Sequence, residues 1–410
     1  ASIYRERADM LIKELELLLL IRCWNGRVGI GSGSESISSD LYVTSLGFRV
    51  LRLHRYGVSA DVFENFKDKN GEFFCYMGNC NSTGEENMMR SLLYLLRASG
   101  VSFPGETVME EAKVFCTAYL NQILGKHGRT HISGYPEWLI KEVKYVLVYD
   151  WRHTFSRWEA RNYIEIYEQD NSWFLSQSNG EKILELGKLE FNILQSVYQI
   201  EMKALSRWWI DSGVPNLIKI RERTIELFLW AISAADELEF SKSRIVIAKI
   251  TTLITIFDDL FDDYASLEEL KIITKAVVQG WDVSLLQNIP NNFKEILLFI
   301  FKTVREFAST ATERQGRDMM PHITKAWADY MMKNLQQAQW RINGVVPKFK
   351  DYIKNASITT GFGQIFLHSL FLVAPLLTDD IIEKIYLQKS KFYELISLSS
   401  RLTDDSKDYE

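Results

Sequence analysis

The sequence predicts an all-α protein made of two helical domains, and three observations lead to this fold class. Proline, the residue that helices tolerate least, occurs seven times in 410 residues, well below its average usage of about 5%. Apolar residues recur at helical spacing along most of the chain. Glycine is unevenly spread, with 14 of 22 before residue 179 and 8 after it. We therefore expect a turn-rich domain at residues 1–178 and a domain of longer helices at residues 179–410.

In the first domain, stretches with helical periodicity alternate with stretches rich in glycine and serine. A loop, GRVGIGSGSESISSD, follows the first of these helices, and QDNSWFLSQSNG at residues 169–180 is the best domain linker. Ser59 is a residue type that caps helix starts. The predicted helices lie at residues 4–21, 40–57, from Ser59 onward, and 157–167.

In the second domain the helices are longer and turn signals are rare. A helix of more than 30 residues starts at Gly180 and closes at Gly213, because glycine is the usual residue just after a helix end. Together the helices predict a bundle that holds most of the core. The further helices are predicted at residues 217–235, 242–263, 267–280, 291–312, 317–341, 349–372 and 379–408.

Composition excludes several functions. The chain has 48 Lys and Arg against 53 Asp and Glu, with a net charge of −5, so no positive excess is present to bind a nucleic acid backbone. The longest apolar runs, at residues 17–21 and 296–301, are far shorter than the roughly 20 residues that span a bilayer. The four cysteines lack CxxC spacing, which favours a reducing compartment over disulfides or zinc. We expect a cytoplasmic protein with no nucleic acid or membrane partner.

Aspartates end a predicted helix that is otherwise apolar in its second half, and they are unfavourable at that end. Residues 250–257 carry no charge and are followed by DDLFDD. Ser266 and Glu269 form a capping box for the next helix, so Asp258 and Asp262 fall at the negative C-terminal end of their own helix and share a face. A cation would resolve this conflict, and a few carboxylates from one helix suit Mg²⁺ shared with a phosphate. Taken alone, the cluster is also typical of a solvated helix end.

A second cluster repeats the pattern near the end of the sequence. Asp404 and Asp408 stand four apart, with Asp405 between them, after another apolar helix. We expect the two clusters to form facing metal-binding walls. Arginines, which pair well with phosphate oxygens, accompany both clusters: Arg221 and Arg223 before the first, and Arg401 before the second.

These residues resemble the plant class I terpene synthases, especially the two-domain sesquiterpene synthases of conifers, over nearly the whole chain. Asp258 to Asp262 match the family's DDxxD motif, and Arg221-Glu222-Arg223 match its RxR motif 35 residues upstream. Residues 186–209, LGKLEFNILQSVYQIEMKALSRWW, are similar to a further family segment. The resemblance implies a barrel-like helical N-terminal domain without chemistry of its own and a C-terminal class I terpenoid synthase bundle.

The family's second metal motif, (N/D)DxxSxxxE, falls on Asp404, Asp405 and Asp408, with Asp408 where Ser or Thr is usual. The final Glu of that motif would lie at position 412, so we expect a partial chain whose bundle is incomplete at its C-terminus. No DxDD motif and no Arg-Arg pair occur, which argues against class II cyclisation and against cyclic monoterpenes.

The resemblance implies that a prenyl diphosphate, with farnesyl diphosphate favoured, is ionised and cyclised to sesquiterpene olefins by a monomeric enzyme. Its metal would be Mg²⁺, with Mn²⁺ as the alternative. Trp230 would stabilise the cation, unless it only packs in the core. Thr359, Thr360 and Gly361 interrupt the long helix predicted at residues 349–372, and the two threonines would border the pocket, unless they mark a simple kink. The implied metal ligands are Asp258, Asp259, Asp262, Asp404, Asp405 and Asp408, and the implied catalytic and diphosphate-binding residues are Arg221, Arg223 and Arg401.

Three alternatives stay open. A diterpene synthase would act on geranylgeranyl diphosphate and would be located in the plastid, as would a C10 enzyme. An inactive protein could keep the fold, and release of diphosphate with Mg²⁺ would separate it from an enzyme. A prenyltransferase that joins isoprenyl units also carries two DDxxD motifs, but on a one-domain fold, and incubation with isopentenyl diphosphate would identify it.

Overall fold

The computed structural model describes residues 40–74, 84–126, 135–149, 155–169, 180–386 and 390–407. In these ranges the regular structure is helical, and the β pairing is limited to an isolated bridge between Lys67 and Phe73. The all-α prediction is therefore confirmed. The chain divides into two compact units between Lys188 and Leu189. Residue 178 lies outside the described residues, so the boundary predicted there stays a prediction.

The described part of the first unit packs short amphipathic helices around one apolar core that includes Phe48, Leu92 and Val143. A buried ion pair between Arg97 and Glu142, 2.9 Å apart, joins the second of these helices to the fourth. The helices are α1 (Leu41–Leu53), α2 (Gly84–Ser99), α3 (Thr107–Lys126), α4 (Glu137–Val148) and α5 (Ser156–Gln169).

Two local predictions in this unit need correction. Ser59 does cap a helix, accepting a hydrogen bond from the Asp61 backbone N–H, but the helix is a 3₁₀ turn at Ala60–Phe66. The helix predicted to stop at Gly57 ends at Leu53, where Arg55 already takes a left-handed φ of 67°. The helix predicted at residues 4–21 and most of the linker at 169–180 lie outside the described residues.

The second unit contains longer helices around a large apolar core. Helix α6 (Gly180–Asp211) ends before Gly213, which is left-handed at φ 71° as a C-terminal glycine should be. The further helices are α7 (Thr224–Ala234), α8 (Ser241–Asp259), α9 (Leu267–Val278), α10 (Asn291–Gln315), α11 (Met320–Ile342), α12 (Phe349–Thr359), α13 (Phe362–Val373), α14 (Asp379–Tyr386) and α15 (Lys391–Lys407).

Helix α8 lies at the centre of this packing. It contacts α7 on one side and α13 on another, and its C-terminal end meets α11. Helix α15 packs against α12 and α13, so α13 contacts both helices that carry an aspartate cluster. Ser266 accepts from the Glu269 backbone N–H and the Glu269 carboxylate accepts from the Ser266 N–H, which confirms the predicted capping box of α9.

The helix predicted at residues 217–235 is wrong in its first third. Helix α7 starts only at Thr224, and residues 217–223 are irregular apart from a turn. The reason is tertiary, because the backbone N–H of Arg221 is bound by the Asp259 carboxylate at 2.9 Å instead of a helical carbonyl. Arg221 and Arg223 therefore precede the helix, and Trp230 does not share a helix face with them.

Two other long predictions are each divided in the structure. Residues 349–372 form α12 and α13, which meet at Gly361 with a left-handed φ of 70°. A side chain could not fit there, since a Cβ on Gly361 would lie 2.6 Å from the Ile254 Cδ1 atom of α8. The described residues of the helix predicted at 379–408 form α14 (Asp379–Tyr386) and α15 (Lys391–Lys407); residues 387–389 and Asp408 lie outside the described residues.

The stretch Phe349–Val373 is long and apolar enough to pass a length-and-composition test for a membrane span. It is broken at Gly361, and it buries polar side chains that bond to a neighbouring helix. Asn355 donates to the Lys333 carbonyl at 2.9 Å, and Gln364 donates to the Ala326 carbonyl at 3.0 Å. Buried side chains that donate hydrogen bonds to a neighbouring helix in this way are typical of core helices in a bundle.

Candidate active site

The first aspartate cluster, Asp258, Asp259 and Asp262, lies where α8 ends. The preceding turns are apolar and buried, and the helix closes in one π-helical turn, Leu260–Tyr264, in which the Ala265 N–H bonds the Leu260 carbonyl at 2.9 Å. The predicted position at a helix C-terminus is therefore correct. A widened turn of this kind is common at functional sites, and here it brings extra negative charge to the negative end of the helix dipole.

Asp258 is half-buried, and its carboxylate accepts a hydrogen bond from a hydroxyl group on α11. The fully buried Tyr330 donates its O–H to Asp258 Oδ1 at 2.7 Å. The pKa of Asp258 is raised to about 7, mainly by burial and to a smaller extent by the nearby Asp262 carboxylate, while the Tyr330 hydrogen bond acts to lower it. The single hydrogen bond thus leaves this carboxylate short of positive charge, and a bound cation would stabilise its ionised form.

Asp259 is already paired. Its side chain is buried, its Oδ2 atom accepts from the Arg221 backbone N–H at 2.9 Å, and its Oδ1 atom accepts from Arg221 Nε at 2.5 Å. Both carboxylate oxygens are therefore engaged by one arginine. The Tyr264 hydroxyl donates to the Lys219 carbonyl and ties the same segment to the π turn. In this arrangement Asp259 positions Arg221, while its assignment as a metal ligand stays a prediction.

Asp262 faces a residue that the sequence analysis missed. Arg341, at the end of α11, places Nη1 2.5 Å from Asp262 Oδ1 and donates Nη2 to the Phe261 carbonyl at 2.6 Å. In the sequence, Arg341 is only a basic residue in the last turn of a helix, which the dipole alone explains. Tyr330 was missed for a similar reason, since a tyrosine on a buried helix face is normally a core residue.

Arg223 and Trp230 are more open to solvent. Arg223 Nε lies 3.9 Å from the Glu226 carboxylate, and its side chain is about half exposed. Trp230 has 57% of its surface exposed, so it is not a core residue in the described structure. Arg221 shares its electrostatic environment with all three aspartates of the first cluster.

Thr359 and Thr360 use their hydroxyls locally. Thr359 Oγ1 donates towards Gln337 Oε1 at 3.0 Å and is buried, and Thr360 Oγ1 bonds the Ser357 carbonyl of its own helix at 3.1 Å. These bonds stabilise the interruption between α12 and α13 that the sequence predicted. A contact of either threonine with substrate stays a prediction.

The second cluster lies on the regular helix α15. Arg401 bonds Asp404 at 2.7 Å and also pairs with Asp405, which accepts the Tyr352 hydroxyl at 3.0 Å and 2.9 Å on its two oxygens. The Arg401 side chain is mostly buried, whereas Asp404 is exposed. Asp408 lies outside the described residues. Between the two clusters, no hydrogen bond or ion pair is recorded in the described part of the chain.

The described residues contain no group of three or more His, Cys, Asp or Glu side chains placed to hold a metal ion on their own. A site for Mg²⁺ would not require such a group, because this ion takes one or two protein carboxylates and completes its shell with water and substrate phosphate. The half-buried Asp258, with its raised pKa and hard oxygen donors, fits such an ion. Asp262 supplies a second oxygen donor in the same turn of chain.

Comparison with known families places this fold and site in one class. Residues 211–410 match the metal binding domain of the terpene synthase family, and residues 16–147 match the terpene synthase N-terminal domain. The chain therefore belongs to the terpene synthase family, whose members are lyases that act on prenyl diphosphates. The predicted family, two-domain helical fold and enzyme class are confirmed.

Within the family, the relatives are conifer sesquiterpene synthases. Alpha-humulene synthase of Picea glauca is 46% identical over 97% of this chain and 68% of its own length. Longifolene synthase of Picea abies is 44% identical over 97% of this chain and 67% of its own length. Taxadiene synthase of Taxus brevifolia is more distant, at 39% identity. The chain thus spans about two thirds of these sesquiterpene synthases, and the predicted sesquiterpene type is supported over the diterpene type.

Solved structures agree with this assignment. Abietadiene synthase from Abies grandis superposes with a TM-score of 0.84 at 36% identity, covering 97% of this chain and 52% of the other. Isoprene synthase from grey poplar, solved with three Mg²⁺ ions and dimethylallyl-S-thiolodiphosphate, has a TM-score of 0.74 at 30% identity and covers 88% of this chain and 64% of the other. A metal-binding domain is therefore shown, and the identity of the metal belongs to the proposal below.

Proposed function

We propose that the protein ionises farnesyl diphosphate with Mg²⁺ and cyclises the carbocation to sesquiterpene olefins, releasing diphosphate. The observation that carries this proposal is the end of α8, where Asp258 is half-buried at a negative helix terminus beside an arginine that Asp259 holds in place. That arrangement has one carboxylate short of a cation and one guanidinium oriented for an anion. A metal-bound diphosphate supplies both.

The chain's own residues would act on the leaving group. A bound Mg²⁺ ion would supply positive charge to neutralise the diphosphate leaving group. Asp258 and Asp262 would hold the metal on the α8 side, and Asp404, Asp405 and Asp408 would hold it on the α15 side. Arg221 engages Asp259 through its Nε and backbone N–H, and its two terminal nitrogens would bind the diphosphate. Arg223 and Arg401 would add positive charge for the diphosphate.

The hydrocarbon part needs a dry site with aromatic walls, because an aromatic face stabilises a carbocation and water quenches it. Trp230, exposed in the described structure, is available for this role. Thr359 and Thr360 at the α12–α13 break would border the same site. The role of Trp230 is tested by the variants Trp230→Phe and Trp230→Leu. We expect loss of cyclic products for the leucine variant only.

Substrate length and metal are tested in one assay. Protein expressed from the full reading frame is incubated with C10, C15 and C20 prenyl diphosphates, each with Mg²⁺ or Mn²⁺, and the products are identified by gas chromatography. We expect cyclic C15 olefins with Mg²⁺ as the main products. A preference for the C20 substrate would support a diterpene synthase, and failure to release diphosphate from all three would support an inactive protein.

Location and assembly follow from the same assignment. A farnesyl diphosphate enzyme is expected in the cytoplasm as a monomer, whereas the delta-selinene-like synthase of Picea sitchensis, 46% identical, carries a chloroplastic name. A fluorescent fusion to the full reading frame decides between cytoplasm and plastid. Light scattering of the purified protein tests the monomer.

A further inference from the structure

Arg341 joins the last turn of α11 to the π turn that carries the first aspartate cluster. Its Nη1 atom lies 2.5 Å from Asp262 Oδ1, and its Nη2 atom donates to the Phe261 carbonyl at 2.6 Å. These partners are 79 and 80 residues away in sequence, so the contact is a product of the tertiary fold. One guanidinium thus holds both a backbone group and a side chain of the same turn.

The Phe261 carbonyl needs such a donor because α8 ends there. After the π turn the chain becomes extended at Ala265, with φ −97° and ψ 139°, so the last carbonyls of the helix lose their helical partners. A cation at this end also offsets the negative helix dipole. The Nη2 contact therefore has a structural reason that does not involve a ligand.

The Nη1 contact has a different character. Asp262 and Arg341 are about half exposed, with side-chain exposures of 59% and 48%, and an ion pair this open contributes little stability. Asp262 is also one of the two carboxylates of the first cluster that are available for a metal, since Asp259 is occupied by Arg221. Arg341 therefore occupies an oxygen that the proposed function assigns to a metal ion.

A diphosphate would offer Arg341 a better partner than Asp262. The planar guanidinium suits two phosphate oxygens at once, and its pairs with phosphate are among the strong charge-assisted hydrogen bonds. The Nη2 contact with the Phe261 carbonyl does not depend on the partner of Nη1, so Nη1 is the nitrogen that would change partner. The side chain is thus anchored at one end and weakly held at the other.

We propose that Arg341 is a substrate-binding residue that exchanges partners, holding Asp262 in the empty site and moving Nη1 to the diphosphate when metal and diphosphate bind. This proposal rests on the proposed function, because it requires a metal at Asp258 and Asp262. It predicts effects of opposite sign in two binding measurements. Without Arg341, Asp262 loses its competitor and binds a free metal ion more tightly, but the diphosphate loses a cation.

The test compares Arg341→Gln with Arg305→Gln, which removes the same charge from an exposed position on α10. Binding of Mn²⁺ alone is measured by electron paramagnetic resonance, and binding of inorganic diphosphate in saturating Mn²⁺ is measured by calorimetry. For Arg341→Gln we expect about threefold tighter Mn²⁺ binding and about tenfold weaker diphosphate binding. Arg305→Gln should match the unmodified protein in both, and Arg341→Lys should recover part of the diphosphate affinity.

The outcomes separate this proposal from the one on which it rests. If Asp258→Asn still binds Mn²⁺ normally, the proposed metal site is wrong, and the proposed exchange of partners by Arg341 is wrong as well. If Asp258→Asn loses Mn²⁺ binding while Arg341→Gln weakens the binding of both Mn²⁺ and diphosphate, Arg341 is only a helix cap. In that case the exchange of partners is wrong and the proposed metal site stands. Equal affinities for Arg341→Gln and Arg305→Gln overturn it as well, and circular dichroism of each variant excludes misfolding as the cause.

Discussion

The two aspartate clusters share a sequence pattern but differ in how the structure holds them. In the first, Asp259 is buried and Asp258 half-buried at the end of a core helix. In the second, the side chains of Asp404 and Asp405 are 65% and 30% exposed on a regular helix. Two aspartate clusters with the same sequence spacing can therefore differ in environment, one buried so that a cation would stabilise it and the other exposed to solvent.

The partners of the two clusters differ in the same way. Asp258 and Asp262 are bound by side chains 72 and 79 residues away, on α11. Arg401 pairs with aspartates three and four positions further along its own helix. The first cluster therefore depends on the tertiary fold, whereas most of the second would form in any helix with this sequence. We expect the first to be rigid and the second to adjust around a ligand.

The largest expected effect is on turnover at the first cluster. Asp258→Asn keeps the Tyr330 hydrogen bond but removes the charge that a metal requires, and we expect Mg²⁺-dependent diphosphate release to fall by about a hundredfold or more. Asp263→Asn, at the next exposed carboxylate in the turn, is the matched control and should keep its rate. Normal turnover of Asp258→Asn with an unchanged circular dichroism spectrum would contradict the assignment of this cluster.

A second prediction concerns Gly361, at the break between α12 and α13. Gly361→Ala must adopt a left-handed φ and also push its Cβ against Ile254, four residues before Asp258 on α8. We expect a loss of about 2 to 4 kcal/mol in the free energy of unfolding, measured in urea. Gly344→Ala has a similar φ of 63° with open space around it, and it should lose only about 1 kcal/mol.

This pair of variants separates backbone strain from crowding. Equal losses for Gly361→Ala and Gly344→Ala would mean that Ile254 moves aside at no cost and that α13 is not fixed against α8. A larger loss at Gly361 together with slower diphosphate release would show that the break positions the first cluster.

The third prediction uses the raised pKa of Asp258 in the metal-free protein. Because burial raises the pKa from 3.8 to about 7, the folded state holds a proton that the unfolded state has lost between these values. The stabilising contribution is complete below the ordinary pKa and disappears as the pH rises through about 7. We expect the melting temperature of metal-free protein to fall between about pH 5 and about pH 8 more than that of Asp258→Asn.

Added Mg²⁺ should reverse the trend, because a bound cation favours the ionised carboxylate. The control is Asp405→Asn, whose parent carboxylate is part of the open cluster, and its melting temperature should follow the unmodified protein across the same range. Parallel melting curves for Asp258→Asn and the unmodified protein would exclude Asp258 as the titrating group.

What could be predicted from the sequence was what local patterns determine. The capping box of Ser266 and Glu269 acts within four residues, and it was predicted correctly, as were the helix end at Asp258 and the interruption near Gly361. The start of α7 was missed because the competing hydrogen bond to Arg221 comes from Asp259, 38 residues away. Tyr330 and Arg341 were missed for the same reason, since their contacts with the aspartates exist only after α11 has packed against the π turn.

The smallest expected effect is on stability at the second cluster. Asp405→Asn removes a charge that pairs with Arg401, but Arg401 keeps Asp404 at 2.7 Å and Tyr352 keeps an oxygen acceptor. We expect a loss of about 0 to 1 kcal/mol in the free energy of unfolding, with a fall in Mg²⁺-dependent diphosphate release that is smaller than for Asp258→Asn. Asp405 also raises the pKa of the Tyr352 hydroxyl, after burial as the larger cause, so the variant should lower that pKa in a spectrophotometric titration. A loss of stability as large as that of Gly361→Ala would mean that the second cluster is held by the tertiary fold after all.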